Sequence, residues 1–138
     1  MASEFELLTS LINNIDDLVF RYEYFPENRF VYVSPSSTRF NGYSPEEHYA
    51  DPEIGIKLIH HDDREYFQKI SGNKLSTDQY ELRWVKKYGT VIWTEQKVVK
   101  TFDNNSILIA VEGVVRNITN RKQEQQSLLD SKNRYQAL

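Results

Sequence analysis

Tyr32-Val33-Ser34-Pro35-Ser36-Ser37-Thr38-Arg39-Phe40-Asn41-Gly42-Tyr43-Ser44-Pro45-Glu46-Glu47 is the stretch that decides the fold. Ser34-Pro35 stops a β-run, because proline has no amide hydrogen to give to a ladder. Phe40 is the apolar residue of a short helix, and Gly42 supplies a turn that a side chain disfavours. Ser44-Pro45-Glu46-Glu47 starts a second helix. Proline suits the first helical position, Ser44 can cap the amides that follow, and Glu47 can return the bond. A strand end, a helix, a glycine turn and a new helix start in so short a run predict small helices over a sheet, with a cavity beneath them.

Upstream, Ser3 and Glu6 form a capping-box pattern, and Phe5, Leu8, Leu11, Ile12 and Ile15 recur at helical spacing up to Asn13-Asn14. Leu18–Phe25 and Arg29–Val33 are β-branched or aromatic, and Pro26-Glu27-Asn28 between them predicts a hairpin turn. Downstream, Asp51-Pro52-Glu53 leads into Ile54, Ile56, Leu58 and Ile59. His60-His61-Asp62-Asp63-Arg64-Glu65 then opens a longer helix, with Asp62 as its cap, Tyr66, Phe67 and Ile70 on its buried side and Gly72 at its end. Thr77–Val85, Thr90–Phe102 and Ile107–Ile118 are three long β-runs joined by Lys87-Tyr88-Gly89 and Asp103-Asn104-Asn105-Ser106, the pattern of an antiparallel meander. Val91, Trp93 and Val99 fall on one alternation set and Ile92 and Val98 on the other. Both faces of the sheet are therefore expected to be at least partly covered, one by the short helices and the other by the N-terminal helix or a second subunit. Thr119–Leu138 is polar, free of Gly and Pro and rich in helix formers, which predicts a projecting helix.

With 138 residues, 39% of them apolar, the chain holds one domain with a core and a tail. Its net charge of −3 and its lack of a basic stripe disfavour nucleic acid. No run is long and apolar enough to span a membrane, and no leader pattern opens the sequence, so a cytoplasmic protein without direct membrane contact is expected. The absence of cysteine removes disulfides, thiolate nucleophiles and most structural zinc sites. No nucleophile elbow, phosphate loop or His-Glu-x-x-His occurs, and the adjacent acids Glu46-Glu47 and Asp62-Asp63 suit helix starts better than catalysis. No catalytic residue and no metal ligand is assigned.

The opening stretch resembles the PAS family of sensory domains, and four further stretches share the resemblance. His60-His61-Asp62-Asp63-Arg64 is similar to its His-Pro-Asp-Asp-Arg helix start. Glu81-Leu82-Arg83-Trp84 with Lys87-Tyr88-Gly89, and then Trp93-Thr94-Glu95, are similar to its later strands. Gly113-Val114-Val115-Arg116-Asn117-Ile118-Thr119-Asn120-Arg121-Lys122 is similar to its Gly-Val-Val-Arg-Asp-Ile-Thr-Glu-Arg-Lys ending. His61, Tyr88 and Asn117 depart from the usual Pro, Asp and Asp. The tail Ser131–Leu138 resembles the start of a second PAS unit.

The resemblance implies an α+β PAS fold: a five-stranded antiparallel sheet of order 2-1-5-4-3, short helices over one face, an N-terminal helix and a C-terminal linker helix. Residues 1–118 would be the sensory domain and 119–138 a signalling helix leading to a further domain. It implies a non-catalytic, homodimeric input module of a multi-domain bacterial signal-transduction protein, a histidine kinase of a two-component system or a diguanylate cyclase or phosphodiesterase. The family's ending motif anchors the junction of last strand and output helix, which assigns signal relay to Asn117 and Thr119.

Phe40, Phe67, Tyr80, Leu82, Arg83, Trp84 and Trp93 are the candidate pocket residues, with Arg83 or Tyr80 as polar anchor for a small organic acid or aromatic. Phe5, Leu8 and Ile12 are the candidate dimer face. The cofactor is unknown, with none expected. Haem through His48, His60 or His61 and noncovalent flavin are the alternatives weighed, and covalent flavin needs a cysteine the chain lacks. The competing reading is a dimerisation module with a filled core and no ligand.

Overall fold

The computed structural model describes residues 3–13, 15–71 and 78–136, without the side chains of residues 5, 9, 12 and 13. The expectations for the Phe5 and Ile12 side chains, Gly72, Thr77 and Leu138 lie outside the described residues. Helix α1 (Glu4–Asn13) starts with the expected reciprocal pair, Glu6 N–H to Ser3 Oγ at 3.1 Å and Ser3 N–H to Glu6 Oε2 at 3.3 Å. Strands β1 (Leu18–Glu23) and β2 (Arg29–Val33) form the hairpin, and β2 ends where Ser34-Pro35 begins.

The short helices follow: α2 (Ser37–Asn41), α3 (Pro45–Ala50), α4 (Ile54–Lys57), a 3-10 turn (His61–Asp63) and α5 (Arg64–Ile70). Gly42 closes α2 with φ of +91°, and a β-carbon there would meet Lys87 Cβ at 2.7 Å, so both conformation and crowding demand glycine. Ser44 Oγ accepts the Glu47 N–H and Glu47 Oε1 accepts the Ser44 N–H, each at 3.1 Å, which fixes the start of α3.

Strands β3 (Gln79–Val85), β4 (Val91–Phe102) and β5 (Leu108–Asn117) complete an antiparallel sheet of order β2-β1-β5-β4-β3. The last strand is thus the middle one, and helix α6 (Thr119–Gln136) runs out of it. Leu18, Phe40, Ile54, Leu58, Ile59, Leu82, Trp84, Ile92 and Val115 form one core between the sheet's inner face and the helices.

Two local expectations are corrected. Asp62 does not cap the helix: His60 caps the 3-10 turn, its Nδ1 accepting the Asp62 N–H at 3.1 Å, because the ring reaches back over the turn. Tyr66 is exposed, since α5 is short and presents only Phe67 and Ile70 toward the sheet. Part of the sheet's outer face stays open. Val31, Val91, Val99 and Val114 stay exposed there, because β-branched residues suit a strand whether or not anything lies over them.

Candidate ligand-binding site

The inner face of the sheet does not meet the helices everywhere. Between them lies a cavity of about 190 Å³, floored by β1, β3, β4 and β5 and roofed by α4, α5 and their neighbours. Antiparallel register explains its floor. Leu18, Val115, Gln96 and Tyr80 form one cross-strand row, and Tyr22, Val111 and Lys100 form another four residues along. Gly113 lies between these rows, where a β-carbon would approach Lys97 O to 2.6 Å and Val98 Cγ1 to 2.9 Å.

Phe20, Leu58, Ile59, Phe67 and Leu82 make the walls apolar. His48 is the buried polar group of the roof. Its Nδ1–H donates to the Ser44 carbonyl at 2.8 Å, so Nε2 is left to accept from the Asn41 amide at 3.3 Å. The Asn41 orientation follows from its Oδ1, which accepts the Tyr43 N–H at 2.9 Å. Burial pushes the His48 pKa below its ordinary value, so the ring is neutral near pH 7. Three phenols gather near one end of the cavity. Tyr22 and Tyr24 meet edge to face at 5.0 Å, and burial raises the pKa of both and, further, that of Tyr80. At the same end Lys100 Nζ donates to the Ile70 carbonyl at 3.1 Å.

Of the residues expected at a pocket, Phe67, Tyr80, Leu82 and Trp84 line this cavity. Phe40 stands behind it, edge-on to Trp84 at 5.8 Å, as part of the solid core. Arg83 and Trp93 are corrected: both point to the other face of the sheet. Leu82 and Trp84 face inward, so the residue between them faces out, and Trp93 is the cross-strand partner of Arg83. There Arg83 grips the Asp63 carboxylate through its backbone N–H at 2.7 Å, Nε at 3.1 Å and Nη2 at 2.7 Å, which holds the Asp63 pKa below the usual carboxylate range. His48 and Lys100 were not singled out as pocket residues. A Lys on the inward parity of β4, shared with Gln96 and Val98, is the signal that finds one of them.

His60, His61 and Asp62 bring donor atoms within 4.8 Å of one another. His60 Nδ1 is already engaged by the Asp62 N–H, and none of the three lines the cavity, so they close a turn and offer nothing to haem inside.

The junction of β5 and α6 is the second built feature. Ile118 N–H reaches Trp93 O at 2.9 Å, and the next ladder bond is completed by a side chain: Trp93 N–H donates to Thr119 Oγ1 at 3.0 Å. Thr119 Oγ1 in turn donates to Asn117 Oδ1 at 2.6 Å, which also accepts the Thr119 N–H at 3.0 Å. Asn117, not Thr119, supplies the capping oxygen, because the Thr119 hydroxyl is committed to the strand.

The family model described as PAS fold matches residues 30–115, more than half of the chain. The chain belongs to the PAS family. No curated protein sequence matches it. Solved structures similar to this PAS chain include a sensory box histidine kinase/response regulator from Burkholderia thailandensis E264, 19% identical, with a TM-score of 0.73 over 99% of this chain and 100% of that one. The N-terminal domain of a diguanylate cyclase with PAS/PAC sensor from Marinobacter aquaeolei is 16% identical, with a TM-score of 0.64 over 77% and 98%. An RNA-binding light-oxygen-voltage receptor is 15% identical, with a TM-score of 0.68 over 92% of this chain and 36% of that one. At these identities the likeness is one of fold. No helix among the described residues is long and apolar enough to cross a membrane.

Proposed function

We propose that this PAS domain is a non-catalytic sensory module in which a small molecule held in the cavity biases the sheet and, through β5, helix α6. The observation that carries the reading is the cavity itself, an apolar chamber of about 190 Å³ opening onto a few polar groups at one end. A filled interior, which the dimerisation-only alternative requires, would leave no such room. Flavin mononucleotide and haem are poor fits, since pockets for drug-sized ligands begin at roughly 300 Å³.

Relay through residues 119–136 is supported by the junction, where one hydroxyl joins β4, Asn117 and the helix start. A relay of this kind is a coupling free energy, typically about 1–3 kcal/mol. The similar histidine kinase and diguanylate cyclase favour an output domain, or a second PAS unit, joined beyond α6. Exposed Leu7, Leu8 and Leu11 on α1 favour a homodimer through that helix.

Native mass spectrometry of the freshly purified chain should reveal a small co-purified molecule. Its removal should speed amide exchange in residues 117–122 of the wild type and leave Thr119→Val unchanged. A chain that carries nothing and whose exchange responds to no member of a library of small organic compounds refutes the sensory reading.

A further inference from the structure

One row of the cavity floor holds two polar side chains with hydrogen-bonding capacity left over. Tyr80 and Gln96 are cross-strand partners on the inner face, and both line the cavity. Gln96 is only 5% exposed. The Thr94 hydroxyl fixes its amide. Thr94 Oγ1 spends its proton on the Leu82 carbonyl at 2.7 Å, so the group facing it at 3.3 Å is Gln96 Nε2, and Oε1 is turned away. That oxygen accepts no hydrogen bond from any described residue. Among the described residues, the side-chain polar atoms sealed in protein without a partner are Ser37 Oγ and Trp84 Nε1, so Gln96 Oε1 opens onto the cavity. The Tyr80 ring meets Phe67 edge-on at 6.4 Å, and its hydroxyl bonds to no described residue, Gln96 included. Burial raises the Tyr80 pKa, so the phenol stays a protonated donor.

Buried polar groups are normally paired, so an acceptor and a donor left over on neighbouring strands call for a third group that answers both. A hydroxyl does so, having one proton to give and lone pairs to receive. Charge narrows the choice. Leu18 and Val115 complete the row, and Lys100, held by the Ile70 carbonyl, lies four residues further along β4. An ion at this row would be buried without a counter-charge. Size narrows it further: an apolar cavity of about 150 Å³ accepts benzene, so about 190 Å³ accommodates one ring together with a small polar group. We propose that the cavity binds a compact, uncharged alcohol or phenol of one ring's bulk, its hydrocarbon part among Phe20, Leu58, Phe67 and Leu82, its hydroxyl donating to Gln96 Oε1 and accepting from the Tyr80 hydroxyl. The assignment rests on the sensory reading and adds a ligand class and an anchor to it.

Phenol and toluene are alike in shape and differ by the hydroxyl, and benzoate adds a charge. Toluene leaves water more readily than phenol, so the informative quantity is the ratio of their two affinities, compared between wild type and variants. In titrations of the whole chain followed by the methyl chemical shifts of Leu58 and Leu82, phenol and toluene should both bind, and benzoate should bind more weakly than phenol. Gln96→Leu should lower the phenol-to-toluene ratio about ten-fold and Tyr80→Phe about five-fold, the worth of one hydrogen bond each. A ratio unmoved in either variant means that water satisfies the pair, and it overturns the hydroxyl assignment while the cavity reading stands. Benzoate binding as tightly as phenol, or more tightly, does the same. Tyr80→Phe decides alone if Gln96→Leu does not fold. If neither phenol nor toluene moves the methyl signals, the cavity reading falls as well.

Discussion

The two faces of the sheet are made from alternate residues of the same strands and obey different physics. Inward from β3 stand Tyr80, Leu82 and Trp84, and the polar groups that join them are half-buried phenols and a neutral imidazole. Outward from the same strand stand Glu81 and Arg83. Beside them Arg121 pairs with Glu81 and Glu95, Lys122 pairs with Glu81, and Trp93 lies within 4.7 Å of Lys122 Nζ and 5.3 Å of Arg83 Cζ. The inner face gains by removing groups from water. The outer face binds charges that remain partly in water, and these moor α6 to the sheet. The lesson is one of division: the cavity belongs to the inner parity, and the attachment of α6 to the outer.

The widest contrast comes from truncation. Leu82→Ala, at a residue 0% exposed, should cost about 2–5 kcal/mol of stability, because lost burial and the added void act together. Val99→Ala, at a residue 61% exposed on the outer face, should cost no more than about 0.5 kcal/mol. Equal shifts of the two urea midpoints would erase the distinction between the faces.

Acid should separate the faces next. The folded His48 pKa is depressed, so the unfolded chain binds the proton more readily, and stability falls as pH drops below about 6.5, by at most about 1.4 kcal/mol per pH unit. Asp63, also depressed but by its Arg83 partner, contributes stability that is complete above the ordinary carboxylate pKa and is lost only as pH falls through its lower folded value. Urea unfolding between pH 8 and 5 should therefore show a slope that His48→Gln removes and Asp63→Asn does not. A slope that survives His48→Gln would place the titrating group elsewhere.

The smallest effect belongs to the mooring charges. Arg121→Ala should change stability by no more than about 1 kcal/mol, and less at high salt, because its pairs are partly exposed. A salt-independent loss larger than that would mean that the outer face is held by burial after all.

Much of this was legible in the residues. The capping box at Ser44 and Glu47, the proline stop after Val33 and the glycine turn at Gly42 all follow from backbone chemistry that acts within a few residues. Period-two alternation also decides one pocket assignment by itself. Leu82, Arg83 and Trp84 are consecutive, so they cannot share a face, and accepting Leu82 excludes Arg83. Trp93 was harder, because its parity on β4 means nothing until register pairs it with Arg83. The His60 cap was hidden for a similar reason, since Asp62 is the commoner capping residue and only the turn geometry hands the role to an imidazole.

The sequence by itself determined where strands and helices start and stop, and through its ordered motifs the family, because caps, turns and alternation are local interactions written in neighbouring residues. Only the tertiary structure decided which parity faces the cavity, that Lys100, Tyr22 and Tyr80 share one chamber, and that Thr119 completes a rung for Trp93. Those groups stand far apart along the chain, and what brings them together is the register of five strands and the fit of short helices over them, neither of which any single segment contains.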